Sequence, residues 1–164
     1  EDTEVFMKYL SPLPDNSIVV DVGTGQGKSV IRMALCAPQV QIWTWDWEHG
    51  NPETIPHSYF KMITDRIKEK GANNIYFCVS DSEKAWQTWD WPIDVLNIDA
   101  SHTYEGTLAD LKRWEPFVKR GGYVFIHDYK DVRFDGLRMA VNECCAGNYE
   151  FLEYLGLTQV ARKL

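Results

Sequence analysis

Val19-Val20-Asp21-Val22-Gly23-Thr24-Gly25-Gln26-Gly27-Lys28-Ser29 is a short apolar run that closes beside an acid and passes into three glycines spaced two apart. It reads as a buried strand, a tight turn and the start of a helix. Glycine at 23, 25 and 27 removes the β-carbons where the chain must turn, so a ligand can lie against bare backbone at the carboxyl end of a strand. Such turns cradle nucleotide-like ligands of several kinds, and the rest of the chain must say which.

Around this stretch, hydrophobic periodicity sets out the other elements. Val5, Phe6, Tyr9 and Leu10 fall at helical spacing before Pro12 and Pro14, giving a short helix that caps one edge. Strands are expected over 18–22, 40–46, 75–79, 93–98 and 123–126, with helices over 29–36, 59–70, 82–86, 104–117 and around 137–144. Gly71 and Gly121-Gly122 close two of the helices. The tail, 149–154 and 157–161 about Gly156, reads as a hairpin. Alternating strands and helices followed by a hairpin predict an α/β fold: a Rossmann-like, seven-stranded, mostly parallel sheet with helices on both faces and an antiparallel C-terminal hairpin. A chain of 164 residues, 45% hydrophobic, is sized for a single domain over 1–164.

Composition narrows the ligand. With 17 basic and 24 acidic residues the formal charge is -7, which disfavours nucleic acid and anionic membranes and favours a small molecule. The four cysteines, at 36, 78, 144 and 145, form no CxxC pair and no zinc spacing, so reduced thiols and a cytoplasmic location are expected. No run approaches the roughly 18 apolar residues of a membrane span. The acidic opening, Glu1 to Glu4, does not resemble a signal peptide. The first residue is not Met, which leaves room for an upstream piece.

In an open α/β sheet, ligands bind beyond the carboxyl ends of the strands. Those ends carry Asp21 with Gly23, Asp46, Ser80 with Asp81, Asn97 with Asp99, and His127 with Asp128. Asp46 lies some twenty residues past the glycines, where a carboxylate meets a ribose diol. Asp81 can receive an adenine amino group, with Ser80 and Ser82 forming its turn or capping the next helix. Because Lys28 stands where a dinucleotide turn has its third glycine, the GxGxG spacing argues against NAD. Trp43, Trp45 and Trp47 alternate on one strand face; packing accounts for most tryptophans, while Trp47, next to Asp46, is placed to lie on the adenine or ribose. The loop from Glu48 to His57 is placed to border an acceptor pocket.

These residues together resemble the class I S-adenosylmethionine-dependent methyltransferases. Asp21 with Gly23, Thr24, Gly25 and Gly27 is similar to the family's methionine-binding turn, Asp46 to its ribose acid, and Ser80-Asp81-Ser82 to its adenine-side turn. Ile98-Asp99-Ala100-Ser101-His102-Thr103-Tyr104-Glu105-Gly106, with Asp110-Leu111 and Gly121 to Tyr129, resembles the branch that includes macrocin O-methyltransferase and cephalosporin-pathway relatives, which act on hydroxyls of small molecules. The resemblance implies a divalent cation, magnesium or manganese, held by an acid after the fourth strand and two after the fifth. Asp99 and Asp128 match; His127 stands for the other acid and suits manganese, iron or zinc better than magnesium. Some relatives carry a basic acid where Ser101 stands, so His102 or His127 is the expected proton acceptor.

The reading is a small O-methyltransferase in which Asp99 serves cofactor, acceptor and metal. Two alternatives stay open: a cofactor-binding module without turnover, and an NAD-dependent oxidoreductase. With little chain before the first strand and no long later insertion, the acceptor site is either open or closed by a second subunit of a homo-oligomer.

Overall fold

The computed structural model describes residues 2–46, 57–79, 82–99 and 101–164, with backbone alone at 57–59, 79, 82 and 83. Trp47, Ser80 and Asp81, and most of the expected acceptor-side loop, lie outside the described residues.

Seven strands form one sheet: β1 (Ile18–Val22), β2 (Gln41–Asp46), β3 (Ile75–Val79), β4 (Ile93–Ile98), β5 (Val118–His127), β6 (Tyr149–Leu155) and β7 (Thr158–Lys163). Their order is β3-β2-β1-β4-β5-β7-β6. Strands β1 to β5 pair in parallel, while β7 runs antiparallel between β5 and β6. The order reverses between β1 and β4, which is where an open α/β sheet leaves a crevice. Helices α1 (Thr3–Tyr9), α2 (Lys28–Cys36), α3 (His57–Glu69), α4 (Ser82–Ala85), α5 (Tyr104–Trp114) and α6 (Asp135–Cys145) complete the chain.

Side-chain alternation along the strands divides the core in two. Val19, Ile42, Val95, Phe125 and Val160 face one way and pack beneath α1, α2 and α3, against Val5, Phe6, Val30, Met33 and Ile63. Val20, Trp45, Leu96, Val124 and Ile126 face the other way, against Leu111 and Trp114 of α5 and Leu137 and Val141 of α6. Trp43 and Trp45 share that second face, their rings 6.4 Å apart, and Trp43 stacks on Tyr76 at 4.4 Å. Tryptophan here is chiefly a packing residue.

The helix expected over 104–117 ends at Trp114; a 3-10 turn over Glu115–Phe117 follows, and β5 starts at Val118 instead of Tyr123. Pro116 cannot supply the backbone donor that would prolong α5. Gly121, at φ 77°, bends the chain within β5, and the β4–β5 register slips between Ile93/Val95 and Val118/Tyr123. Gly122 has no room for a side chain there, since a β-carbon would stand 2.9 Å from the Asp94 carbonyl.

Candidate functional site

Register places three polar residues in one row across the middle of the sheet: Asp21 lies beside Thr44 on β2 and beside Asn97 on β4. Asp21 is 0% exposed. One of its carboxylate oxygens accepts from Asn97 Nδ2 at 2.7 Å and the other from Thr44 Oγ1 at 2.6 Å. Thr44 has spent its proton on Asp21, so at the 2.5 Å contact between the two hydroxyls Thr24 is the donor. Burial pushes the Asp21 carboxyl up to about 7 against the two hydrogen bonds, and the charges of Asp99 and Asp46 add to the rise. Asp21, expected on the ligand-facing side, is fully buried beneath the turn and is tied to it through Thr44 and Thr24.

The turn is tied down around that carboxylate. The Gly23 and Thr24 N–H groups both donate to the Trp45 carbonyl at 3.2 Å, and Gly27 N–H donates to the Thr24 carbonyl at 2.8 Å. Gly23, Gly25 and Gly27 all have positive φ, and Gly27, the N-cap of α2, lies with its would-be β-carbon 3.3 Å from Ile63. A β-carbon on Gly25 would meet nothing within 4 Å among the described residues. Asp46 closes β2 at 9% exposure, beside the turn.

At the ends of β4 and β5 stands a second group. The Asp99 N–H donates to the Val22 carbonyl at 3.0 Å, which fastens this group to the residue before the glycine turn. Strand parity turns His127 to the same face as Phe125, the face covered by α1. There His127 Nε2 lies 3.5 Å from Oδ2 of Asp2, and its Nδ1 lies 3.3 Å from Asp99 Oδ1 and 3.3 Å from Asp128 Oδ2. His102 Nε2 comes within 3.3 Å of the same Asp128 oxygen. Asp128 holds φ at 57°, a left-handed conformation fixed by its N–H to the Leu157 carbonyl and by Asp131 N–H on its own carbonyl.

Charge crowding sets the proton affinities. His127 is pushed up to about 9, chiefly by Asp2 and then by Asp99 and Asp128, against the cost of burial. Asp2 is held below the usual carboxylate range by His127, and burial raises Asp99. The three carboxylates thus bias His127, expected as a base, toward its protonated form. The other expected base, His102, turns Nε2 inward, where it is buried without a hydrogen-bond partner; His127 Nδ1 is in the same state. Both nitrogens face the cluster instead of an open pocket. Among the described residues, ligand atoms of Asp99, His102 and His127 all lie within 4.8 Å of one another, a donor set that fits a cation.

Ser101 braces the loop: its Oγ contacts Thr103 Oγ1 at 2.9 Å, and its carbonyl accepts from Thr107 Oγ1 at 2.7 Å. Thr103 caps α5, accepting from Gly106 N–H, and Gly106 leaves the space that the Ser101 hydroxyl fills.

Asp2 was not among the expected site residues. The residue is 5% exposed, and its carboxylate accepts from Thr158 Oγ1 at 3.1 Å. Nothing in the sequence marks it; Asp2 stands one helical turn before Phe6, whose ring stacks on Phe125 at 6.3 Å, two residues before His127. A pair of aromatic rings thus runs alongside an acid–imidazole pair.

Comparison with known proteins now adds family and fold. A family model described as "Methyltransferase domain" matches residues 20–129, well over half the chain. Over 55 residues, 33% of this chain, the sequence is 38% identical to an uncharacterized protein of Acanthamoeba polyphaga mimivirus, and that stretch spans 25% of the viral protein. The O-methyltransferase NovP shares the fold at TM-score 0.76 and 17% identity, over 98% of this chain and 78% of its own. A Streptococcus mutans protein described as a methyltransferase and solved in complex with SAH superposes at TM-score 0.71 and 17% identity, over 100% and 98% of the two chains. An rRNA methylase from Streptococcus thermophilus does so at 0.70 and 18%, over 99% and 94%. At these identities the structures attest the Rossmann-like fold alone.

Proposed function

The chain belongs to the methyltransferase-domain family, and from that premise we propose that it transfers the methyl group of S-adenosylmethionine to a hydroxyl of a small molecule. The observation that carries this reading is the Asp99 N–H to Val22 carbonyl bond, which sets the β4–β5 cluster directly against the glycine turn. A donor cradled at the turn and an acceptor held at the cluster would then be neighbours, and proximity is the protein's main contribution to such a transfer. The neighbour complexed with SAH, the demethylated cofactor, supports the donor assignment.

Gly23 to Gly27 would take the methionine part along their exposed backbone, held in shape by Thr24, Thr44 and Asp21. Asp46 would take the ribose, and Ser80 to Ser82 with Trp47 the adenine. In the reaction the acceptor oxygen forms the new O–CH3 bond as the S–CH3 bond breaks; the electron pair of that bond goes to sulfur, and the sulfonium becomes a neutral thioether. Asp99, whose proton affinity burial raises, would accept the hydroxyl's hydrogen bond, orient its lone pair and take its proton as the O–CH3 bond forms. A divalent cation bound by Asp99, His127 and Asp128 would supply one thing, a lower pKa for that hydroxyl. The net charge of -7 and the buried, acid-lined cluster favour a small neutral or cationic acceptor in the cytoplasm over nucleic acid or membrane.

The test is methyl transfer from labelled S-adenosylmethionine to a panel of catechols, sugars and hydroxylated acids, with and without Mn2+. Label in an ether product is expected, and its loss in Asp99→Asn. Cofactor binding with no transfer to any acceptor would favour a binding module.

A further inference from the structure

We propose that the cluster at the ends of β4 and β5 is a mixed nitrogen and oxygen site for a first-row transition ion in preference to magnesium, with His102 as a ligand through Nε2 and Asp2 as the outer partner that turns His127 Nδ1 inward. The proposal rests on the acceptor-side reading of this cluster and extends it by two residues and a class of metal.

Geometry is the first argument. His127 Nδ1 stands 3.3 Å from one oxygen of Asp99 and 3.3 Å from one of Asp128, and His102 Nε2 stands 3.3 Å from that Asp128 oxygen. These contacts are longer than good hydrogen bonds, and both nitrogens are buried with no hydrogen-bond partner. Ligand atoms that share one ion at about 2.0–2.2 Å in tetrahedral arrangement stand roughly 3.4 Å apart. Ligand atoms of Asp99, His102 and His127 also lie within 4.8 Å of one another, so these three can converge on one centre, with the Asp128 oxygen beside both imidazoles.

Orientation is the second. A metal-binding imidazole presents one nitrogen to the ion and donates its other N–H to a carboxylate or carbonyl. His127 has that arrangement: Nε2 faces Asp2 at 3.5 Å, and Asp2 is fixed in turn by the Thr158 hydroxyl at 3.1 Å. His102 is fixed by packing, its ring 4.2 Å from that of Phe134. Two imidazoles held with a ring nitrogen toward two carboxylates, each able to lose its proton to a bound ion, suit zinc, cobalt, iron or manganese, whereas magnesium requires near-octahedral oxygen coordination.

The experiment uses the whole chain stripped with a chelator and titrated by calorimetry with Zn2+, Co2+, Mn2+ and Mg2+ in turn. Co2+ is followed by its visible absorption, and binding of S-adenosylhomocysteine is measured on the same samples. We expect one ion per chain, Zn2+ bound at least about a hundredfold more tightly than Mg2+, and a cobalt spectrum showing nitrogen ligation. His102→Gln and Asp2→Asn should each weaken Co2+ by about 10–100-fold and change its spectrum, with thermal unfolding confirming that each variant is folded. Mg2+ bound as tightly as Zn2+, or an unchanged cobalt affinity in folded His102→Gln, would overturn the proposal. So would the absence of any ion in protein that binds S-adenosylhomocysteine, which would leave imidazole–carboxylate pairs alone. If S-adenosylhomocysteine fails to bind while metals behave as expected, it is the methyltransferase reading that falls.

Discussion

Asp21 gives both of its carboxylate oxygens to the interior, and the consequences are measurable. Removing the carboxylate in Asp21→Ala strands the Asn97 amide and the Thr44 hydroxyl as buried donors, at about 1–3 kcal/mol each. The unfolding midpoint should fall by on the order of 10 °C, read by calorimetry. Proton linkage gives a second outcome. The folded value of Asp21, about 7, lies above the ordinary 3.8, so its contribution to stability is full below 3.8 and declines as pH rises through 7. The folded value of His127, about 9, lies above 6.5, so its contribution is full below 6.5 and is lost as pH rises through 9. Asp2, lowered, acts oppositely and loses its contribution in acid. Ion-free protein should therefore be most stable in mildly acidic solution and weaken steadily on the alkaline side. In His127→Gln the loss of stability between pH 6.5 and 9 should be smaller than in the wild type, as thermal melts across that range will show.

Among the elements, the glycine turn into α2 is the one on which the proposed cofactor site depends most. Gly27 combines a φ of 75° with a would-be β-carbon 3.3 Å from Ile63. Gly27→Ala should cost about 1–2 kcal/mol from backbone strain alone and weaken cofactor binding along with it. Gly25→Ala is predicted to behave differently: no described atom stands within 4 Å of the added carbon, so the cost is the strain of φ 48° without a packing clash, and S-adenosylhomocysteine binding should fall more than stability does. This turn was legible from spacing because glycine carries its backbone requirement in its identity. The start of β5 was not. Val118 fits the apolar spacing of the preceding helix, and only the Pro116 turn and the register slip against β4 reveal that it already pairs with Ile93. Asp2 was missed for a related reason: its partners, His127 and Thr158, lie more than a hundred residues away, and no local pattern announces a contact made by packing α1 onto β5 and β7.

For the whole molecule, the sheet order with its reversal between β1 and β4 explains why acids at successive strand ends gather into two adjoining groups. Alternating elements and the closing hairpin made that architecture readable in advance, and with it the gathering of the strand-end acids at one edge of the sheet. What the pattern could not convey was which way each side chain turns once there. Asp21 reads as a ligand contact until register buries it between Thr44 and Asn97, and the sequence does not show that His102 Nε2 faces Asp128. No helix among the described residues is long and apolar enough to cross a membrane. The central claim is that the glycine turn and Asp46 hold an adenosyl cofactor beside the β4–β5 cluster. Titration of S-adenosylhomocysteine by calorimetry tests it most directly. The account predicts saturable binding of one ligand per chain, weakened at least about tenfold in Asp46→Ala through loss of the ribose contact; no heat of binding at millimolar ligand would contradict it.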